Sequence, residues 1–201
     1  MPFAAAGCVV TVVEPNPNAL ATLSRRAADA GVADRITAVQ ADSDALGQVV
    51  PADGADLVLA HGLLEVVDDP KRTVAAMAEA VAPGGAVSVL AANRTAALLY
   101  RAIAGKLDEA ARLAEDPTGR LAGEPLLRRF DSAALLALLT DAGLAVELVQ
   151  GHGVLSELVP GSVLQQDSSA QDALAELELR LAPTVPLRDI AARLHAVARK
   201  G

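Results

Sequence analysis

The chain has 201 residues, enough for one domain with a sizeable core; 52% are hydrophobic but only 1% aromatic, so that core must be Ala, Val and Leu. A formal net charge of −8 disfavours an extended nucleic-acid face. The single cysteine, Cys8, excludes an internal disulfide and fits a reducing cytoplasm, and no apolar run reaches the roughly 18 residues of a membrane span. The stretch before Cys8 has no basic residue and too little apolar length for a lipoprotein signal, so Cys8 reads as a small core residue opening a strand.

In chain order, residues 9–13 predict a strand that runs straight into Glu14. Asn16 then reads as an N-cap with Pro17 at the first helical position; Leu20, Leu23 and Ala27 share a face and Gly31 closes the helix. Short strands are predicted over 36–39 and 56–60, the second buried on both sides by its continuous apolar content. Asp69 and Pro70 start a helix with a buried stripe of Val74, Met77, Ala78 and Val81. The Pro83-Gly84-Gly85 turn ends it and leads into a strand over 86–91. Residues 94–105 predict a helix and 114–129 a loop. Asp131 caps a helix over 132–142, and 144–149 predicts a strand. Two terminal helices are expected over 170–182 and 187–199, with stripes of Leu174, Leu177, Leu181 and of Leu187, Ile190, Leu194.

Strands separated by helices argue for an α/β fold with a doubly wound, mostly parallel sheet, in which ligands sit beyond the carboxyl ends of the strands. The polar residues there are Glu14, Asp42 with Ser43, His61 and Asn93. A carboxylate after the five strand residues 9–13, four of them valine, suits a nucleoside ribose, though Glu14 could instead favour the following helix start. Asp42 reads either as an adenine acceptor or as an ordinary turn acid, with Ser43 bonding its own backbone. Asn93 reads as a turn residue or a substrate contact. Arg120, Arg128 and Arg129 lie in or beside the long loop, where a guanidinium pair suits a carboxylate or phosphate, or simply faces water. No nucleophile triad or metal cluster stands out.

These positions resemble class I S-adenosyl-L-methionine (SAM) dependent methyltransferases over about residues 7–160. The matching pieces are Glu14, Gln40-Ala41-Asp42-Ser43, the stretch from Asp56 to His61, that from Leu63 to Pro70, and the Pro83-Gly84-Gly85 turn. A His-x-x-Leu-Glu-x-Val-x-Asp-Pro stretch from His61 to Pro70 is similar to the tRNA 5-carboxymethoxyuridine methyltransferase branch, as are Asn93, Leu98-Leu99, Ala104-Gly105 and Asp108. The resemblance implies a Rossmann-like domain over 1–160 with a helical extension over 161–201. It implies SAM as cofactor, with ribose on Glu14, adenine on Asp42 and Ser43, and His61 against the cofactor. Substrate contacts fall to Asn93, Arg128 and Arg129. The acceptor it implies is a modified tRNA uridine carboxylate or a small molecule.

The family's glycine-rich loop and first, central strand have no counterpart before Glu14. The chain is therefore expected to be an N-terminally incomplete domain, poorly stable or prone to associate through strand edges. The terminal helices are expected to pack on the domain or on a second copy as a homodimer. Two rivals remain: a non-catalytic methyltransferase-like domain that binds a partner, and an NAD(P)-dependent oxidoreductase. The second is disfavoured because Lys106 lies six residues after Tyr100, the only tyrosine, which breaks the Tyr-x-x-x-Lys pattern.

Overall fold

The computed structural model describes residues 1–162 and 168–201. Its β-structure comes in two pieces. Strands β1 (Val10–Val13) and β2 (Ile36–Val39) form a parallel pair. Strands β3 (Ala55–His61), β4 (Val81–Ala92), β5 (Leu144–His152) and β6 (Arg193–Lys200) form a second sheet in the order β3-β4-β6-β5. The β3–β4 pair is parallel, and β6 runs antiparallel to both its neighbours. No ladder hydrogen bonds join β1 to β3. Among the described residues the two strands have no shared neighbour, as the sequence predicts.

The helices are α1 (Pro2–Ala5), α2 (Pro17–Asp29), α3 (Leu46–Val49), α4 (Pro70–Ala80), α5 (Arg94–Ile103), α6 (Leu107–Glu115), α7 (Ser132–Asp141) and α8 (Ser168–Leu181). Local chemistry starts most of the long ones. Asn16 Oδ1 accepts from Asn18 N at 2.9 Å, Asp69 Oδ1 from Lys71 N at 3.0 Å, and Asp131 Oδ1 from Ala134 N at 2.9 Å. Each such cap is worth about 1 kcal/mol, and Pro17 and Pro70 fill first-turn positions that need no N–H donor. Among the described residues, no helix is long and apolar enough to cross a membrane.

One face of the four-stranded sheet carries the main core. Val87, Val89, Ala91, Leu194, Ala196 and Ala198 from β4 and β6 pack with Val74 and Met77 of α4 and with Leu135 and Leu139 of α7. The opposite face is less covered: Leu57, Leu59 and Leu148 are 40%, 44% and 38% exposed. A separate small cluster of Ala4, Ala27 and Val32, with Met1, Val10 and Ile36, belongs to the β1–β2 unit. That unit is tied to the rest where α3 packs on α4.

The entry to β4 explains its glycines. Val81 pairs with Ala55 and Ala86 with Leu57, so residues 82–85 form an irregular step against a single residue of β3. A Cβ on Gly85 would lie 2.9 Å from the Asp56 carbonyl oxygen, which leaves room only for glycine.

Several expectations need correction. The strand over 56–60 is not buried on both sides, because the face carrying Leu57 and Leu59 is left partly uncovered. Residues 193–200 are a strand, not the end of a helix over 187–199; only Leu187–Ile190 form a 3₁₀ turn. In β6, Leu194, Ala196 and Ala198 are buried while the residues between them lie on the other face, the period-two pattern of a strand. Because β6 is inserted between β4 and β5, residues 161–201 are not a helical extension, and the domain runs to Lys200. Cys8 is exposed and lies outside the core. The first terminal helix stands as α8.

Candidate functional site

The β1–β2 pair brings the first acids to one edge. Val13 is in register with Val39, so Glu14 and Gln40 leave the two strands at the same level. Glu14 N donates to Val39 O at 3.1 Å, and Gln40 Nε2 donates to Pro15 O at 3.3 Å, which ties the two exits together. Glu14 Oε1 accepts from Asn16 N at 2.8 Å, steadying the lead-in to α2. Asp42 precedes the 3₁₀ turn Ser43–Ala45 but does not cap it; its Oδ1 accepts from Ser43 Oγ at 3.1 Å. The second oxygen of each carboxylate makes no hydrogen bond among the described residues. Glu14, Asp42 and Ser43 therefore lie on neighbouring loops beyond the carboxyl ends of adjacent parallel strands.

His61 ends β3, in the other sheet. Its Nε2 is 2.9 Å from Ser88 Oγ on β4, which is 2.9 Å from His195 Nε2 on β6. His195 Nδ1 is 3.0 Å from Gln150 Nε2 on β5. The two rings meet edge-to-face, with centroids 5.8 Å apart. Sequence reasoning singled out only His61 of this row. Ser88 is hidden in an apolar strand, and His195 sat in a segment read as helix. The available signal was the alternation of 193–200.

Burial pushes both histidines below their ordinary pKa of 6.5; the neighbouring His61 and His152 lower His195 further. Each binds a proton more weakly folded than unfolded, so its contribution to stability is full above pH 6.5 and is lost as pH falls through the lowered folded value. The carboxylates follow lower down. Burial alone would raise Glu124, but its bonds to Arg129 and Arg101 outweigh that and hold it below 4.5. Burial is likewise outweighed at Glu178, which accepts from the backbone N–H groups of Leu155, Val154 and Ser156. A two-stage acid loss is expected: a first fall in Tm below about pH 6.5 and a second below about 4.5. A Tm that stays flat from pH 8 to pH 5 would remove the histidine stage.

The three remaining predicted residues are committed inside the protein. Asn93 is 2% exposed. Its Oδ1 caps α5 through Thr95 N at 2.9 Å, and its Nδ2 donates to Asp189 O at 2.9 Å and Ala191 O at 2.8 Å. Arg128 braces the loop after β3 by donating to Leu64 O at 3.0 Å, to Asp68 O at 3.0 Å and to Val67 O. Arg129 donates to Gly119 O at 2.6 Å and pairs with Glu124. Glu65, which drew no chemical role from the sequence, is buried with its Oε1 accepting from Ala92 N at 2.7 Å, and so ties the β3 exit to the end of β4.

Residues 1–89 match a family model described as a methyltransferase domain. The chain is 28% identical over 145 residues to the tRNA 5-carboxymethoxyuridine methyltransferase of Escherichia coli K12, covering 72% of this chain and 54% of that protein. It thus spans about half the length of the curated relatives it matches. Among solved structures, a SAM-dependent methyltransferase from Methanosarcina mazei aligns with TM-score 0.65 at 15% identity, covering 99% of this chain and 85% of that one. Another from Mesorhizobium loti aligns with TM-score 0.58 at 21% identity, covering 95% and 80%. At these identities the structures speak to the fold, which is the Rossmann-like one expected. Family match, relatives and fold thus agree in what this chain is similar to: the class I SAM-dependent methyltransferases.

Proposed function

We propose that this chain binds SAM by its nucleoside end and serves methyl transfer to a carboxylate-type acceptor. The observation that carries the reading is the pair of acids, Glu14 and Asp42, at the exits of two adjacent parallel strands in register. The residues fit a nucleoside. Each carboxylate keeps one oxygen without an internal partner, and Ser43 adds a hydroxyl beside Asp42. Glu14 accepts from the ribose hydroxyls. Asp42 accepts from the adenine amino group, and His61 lies against the cofactor.

SAM supplies an activated methyl group on a good leaving group. The chain's contribution is then alignment and exclusion of water, not acid–base chemistry. An acceptor that is already an anion needs no general base. Such a carboxylate is carried either by a modified tRNA uridine, as in the name of the Escherichia coli relative, or by a small molecule. The net charge of −8 favours the small molecule, because tRNA binding leans on basic side chains at phosphates. Arg128 and Arg129 serve the acceptor side indirectly, Arg128 by bracing the loop after β3 and Arg129 by bracing the stretch from Gly119 to Glu124.

Calorimetric titration of the 201-residue chain with SAM tests the reading. Glu14→Ala removes charge-assisted bonds worth about 1.5–3 kcal/mol each, so affinity is expected to fall at least tenfold to hundredfold. Unchanged affinity in that variant would sink the ribose assignment. A folded wild-type chain that binds no SAM would favour the partner-binding domain instead.

A further inference from the structure

The row Gln150–His195–Ser88–His61 crosses all four strands of the larger sheet, one residue per strand. Its direction follows from donor chemistry. The Gln150 amide nitrogen can only donate, so His195 Nδ1 accepts. A neutral ring with an accepting Nδ1 carries its proton on Nε2, and that N–H donates to Ser88 Oγ. The serine hydroxyl has one proton to give, and the remaining neighbour is His61 Nε2. His61 must therefore accept at Nε2 and carry its own proton on Nδ1. Among the described residues, Nδ1 of His61 has no hydrogen-bond partner, and the residue is exposed at the β3 exit. The surroundings keep both rings neutral at neutral pH, as their lowered proton affinity shows.

We infer that Gln150, His195 and Ser88 are positioning residues that hold His61 as its Nδ1–H tautomer, so that His61 meets its ligand as a neutral hydrogen-bond donor to an oxygen or nitrogen acceptor and not as a general base. The ligand half of this inference rests on the reading of the site proposed above; the tautomer half stands on the unliganded protein. The row works as the partners behind a metal-bound histidine do, where the bond at one ring nitrogen sets what the other presents. The ligand group it suits carries lone pairs: a carboxylate or carbonyl oxygen, or an unprotonated ring nitrogen.

The test is long-range ¹H–¹⁵N correlation NMR of the three histidines in the ¹⁵N-labelled 201-residue chain at pH 8. The expected result is a protonated Nδ1 on His61 and a protonated Nε2 on His195. In Ser88→Ala, His61 loses the donor at Nε2 and is expected to shift toward the Nε2–H form that free histidine favours. A protonated Nε2 on His61 in the wild type overturns the inference, as does a Ser88→Ala spectrum with His61 unmoved. Should Ser88→Ala fail to fold, Gln150→Leu removes the other end of the row, and the wild-type tautomers decide in any case. Titration of His61→Ala with SAM judges the ligand half: a fall in affinity of about fivefold or more is expected, and undiminished binding removes it. Absence of SAM binding by the wild type would sink the site reading and the ligand half together, while leaving the tautomer result to judge the row.

Discussion

Removal of residues 193–201 is expected to abolish cooperative folding. β6 pairs with β4 from Ala86 to Ala92 on one side and with β5 from Leu144 to His152 on the other. Without it both neighbours present unpaired backbone to each other across a gap. The main core also loses Leu194, Ala196 and Ala198, all fully buried. Truncating one buried leucine costs about 2–5 kcal/mol, against a total stability of about 5–15 kcal/mol for a typical domain. The losses together exceed what the rest of the domain can withstand. A thermal melt of the 1–192 chain by circular dichroism should show no sigmoidal transition. A sharp melt close to that of the full chain would instead mean that the C-terminal segment is an appendage.

Asn93→Ala is expected to destabilise the fold by about 3–5 kcal/mol, because it strands three groups at once. Thr95 N loses its cap, and the carbonyls of Asp189 and Ala191 lose the amide that satisfies them. The amide holds the start of α5 against the lead-in to β6, so the damage reaches two elements far apart in sequence. In a chain of this size the effect corresponds to a fall in Tm of about 10 °C. Differential scanning calorimetry separates this from a substrate role. A variant with wild-type Tm and weakened acceptor binding would restore Asn93 to the acceptor site.

What the sequence made legible was local. Asn16-Pro17, Asp69-Pro70 and Asp131 start helices through bonds to residues two or three positions away, and the structure has all three. Glu14 at a strand tip is local too, since a run of four valines and one threonine and then a helix start define it. β6 was not legible in this way. Leu187, Ile190 and Leu194 keep helical spacing, while Leu194, Ala196 and Ala198 keep strand spacing, and only the open edges of β4 and β5 decide between them. His195 was lost with that choice, and with it the row behind His61. Asn93 was visible as a polar residue at a strand end, and Arg128 and Arg129 as a guanidinium pair beside a long loop. Their partners lie up to 98 residues away, beyond what spacing can show.

The split sheet also has a mechanical consequence. Glu14 and Asp42 ride on a unit with a core of a few small side chains, whereas His61 belongs to the large core's sheet. The fastening between them includes an Arg72–Asp44 pair whose side chains are 67% and 55% exposed, a kind of contact that contributes little. The small unit can therefore swing open at lower free energy than the four-stranded sheet. A molecule held in the proposed way, by Glu14 at one end and His61 at the other, would act as a crossbar between two plates. Part of its binding energy would then go into closing them, and the occupied protein would be stiffer across that seam than the empty one.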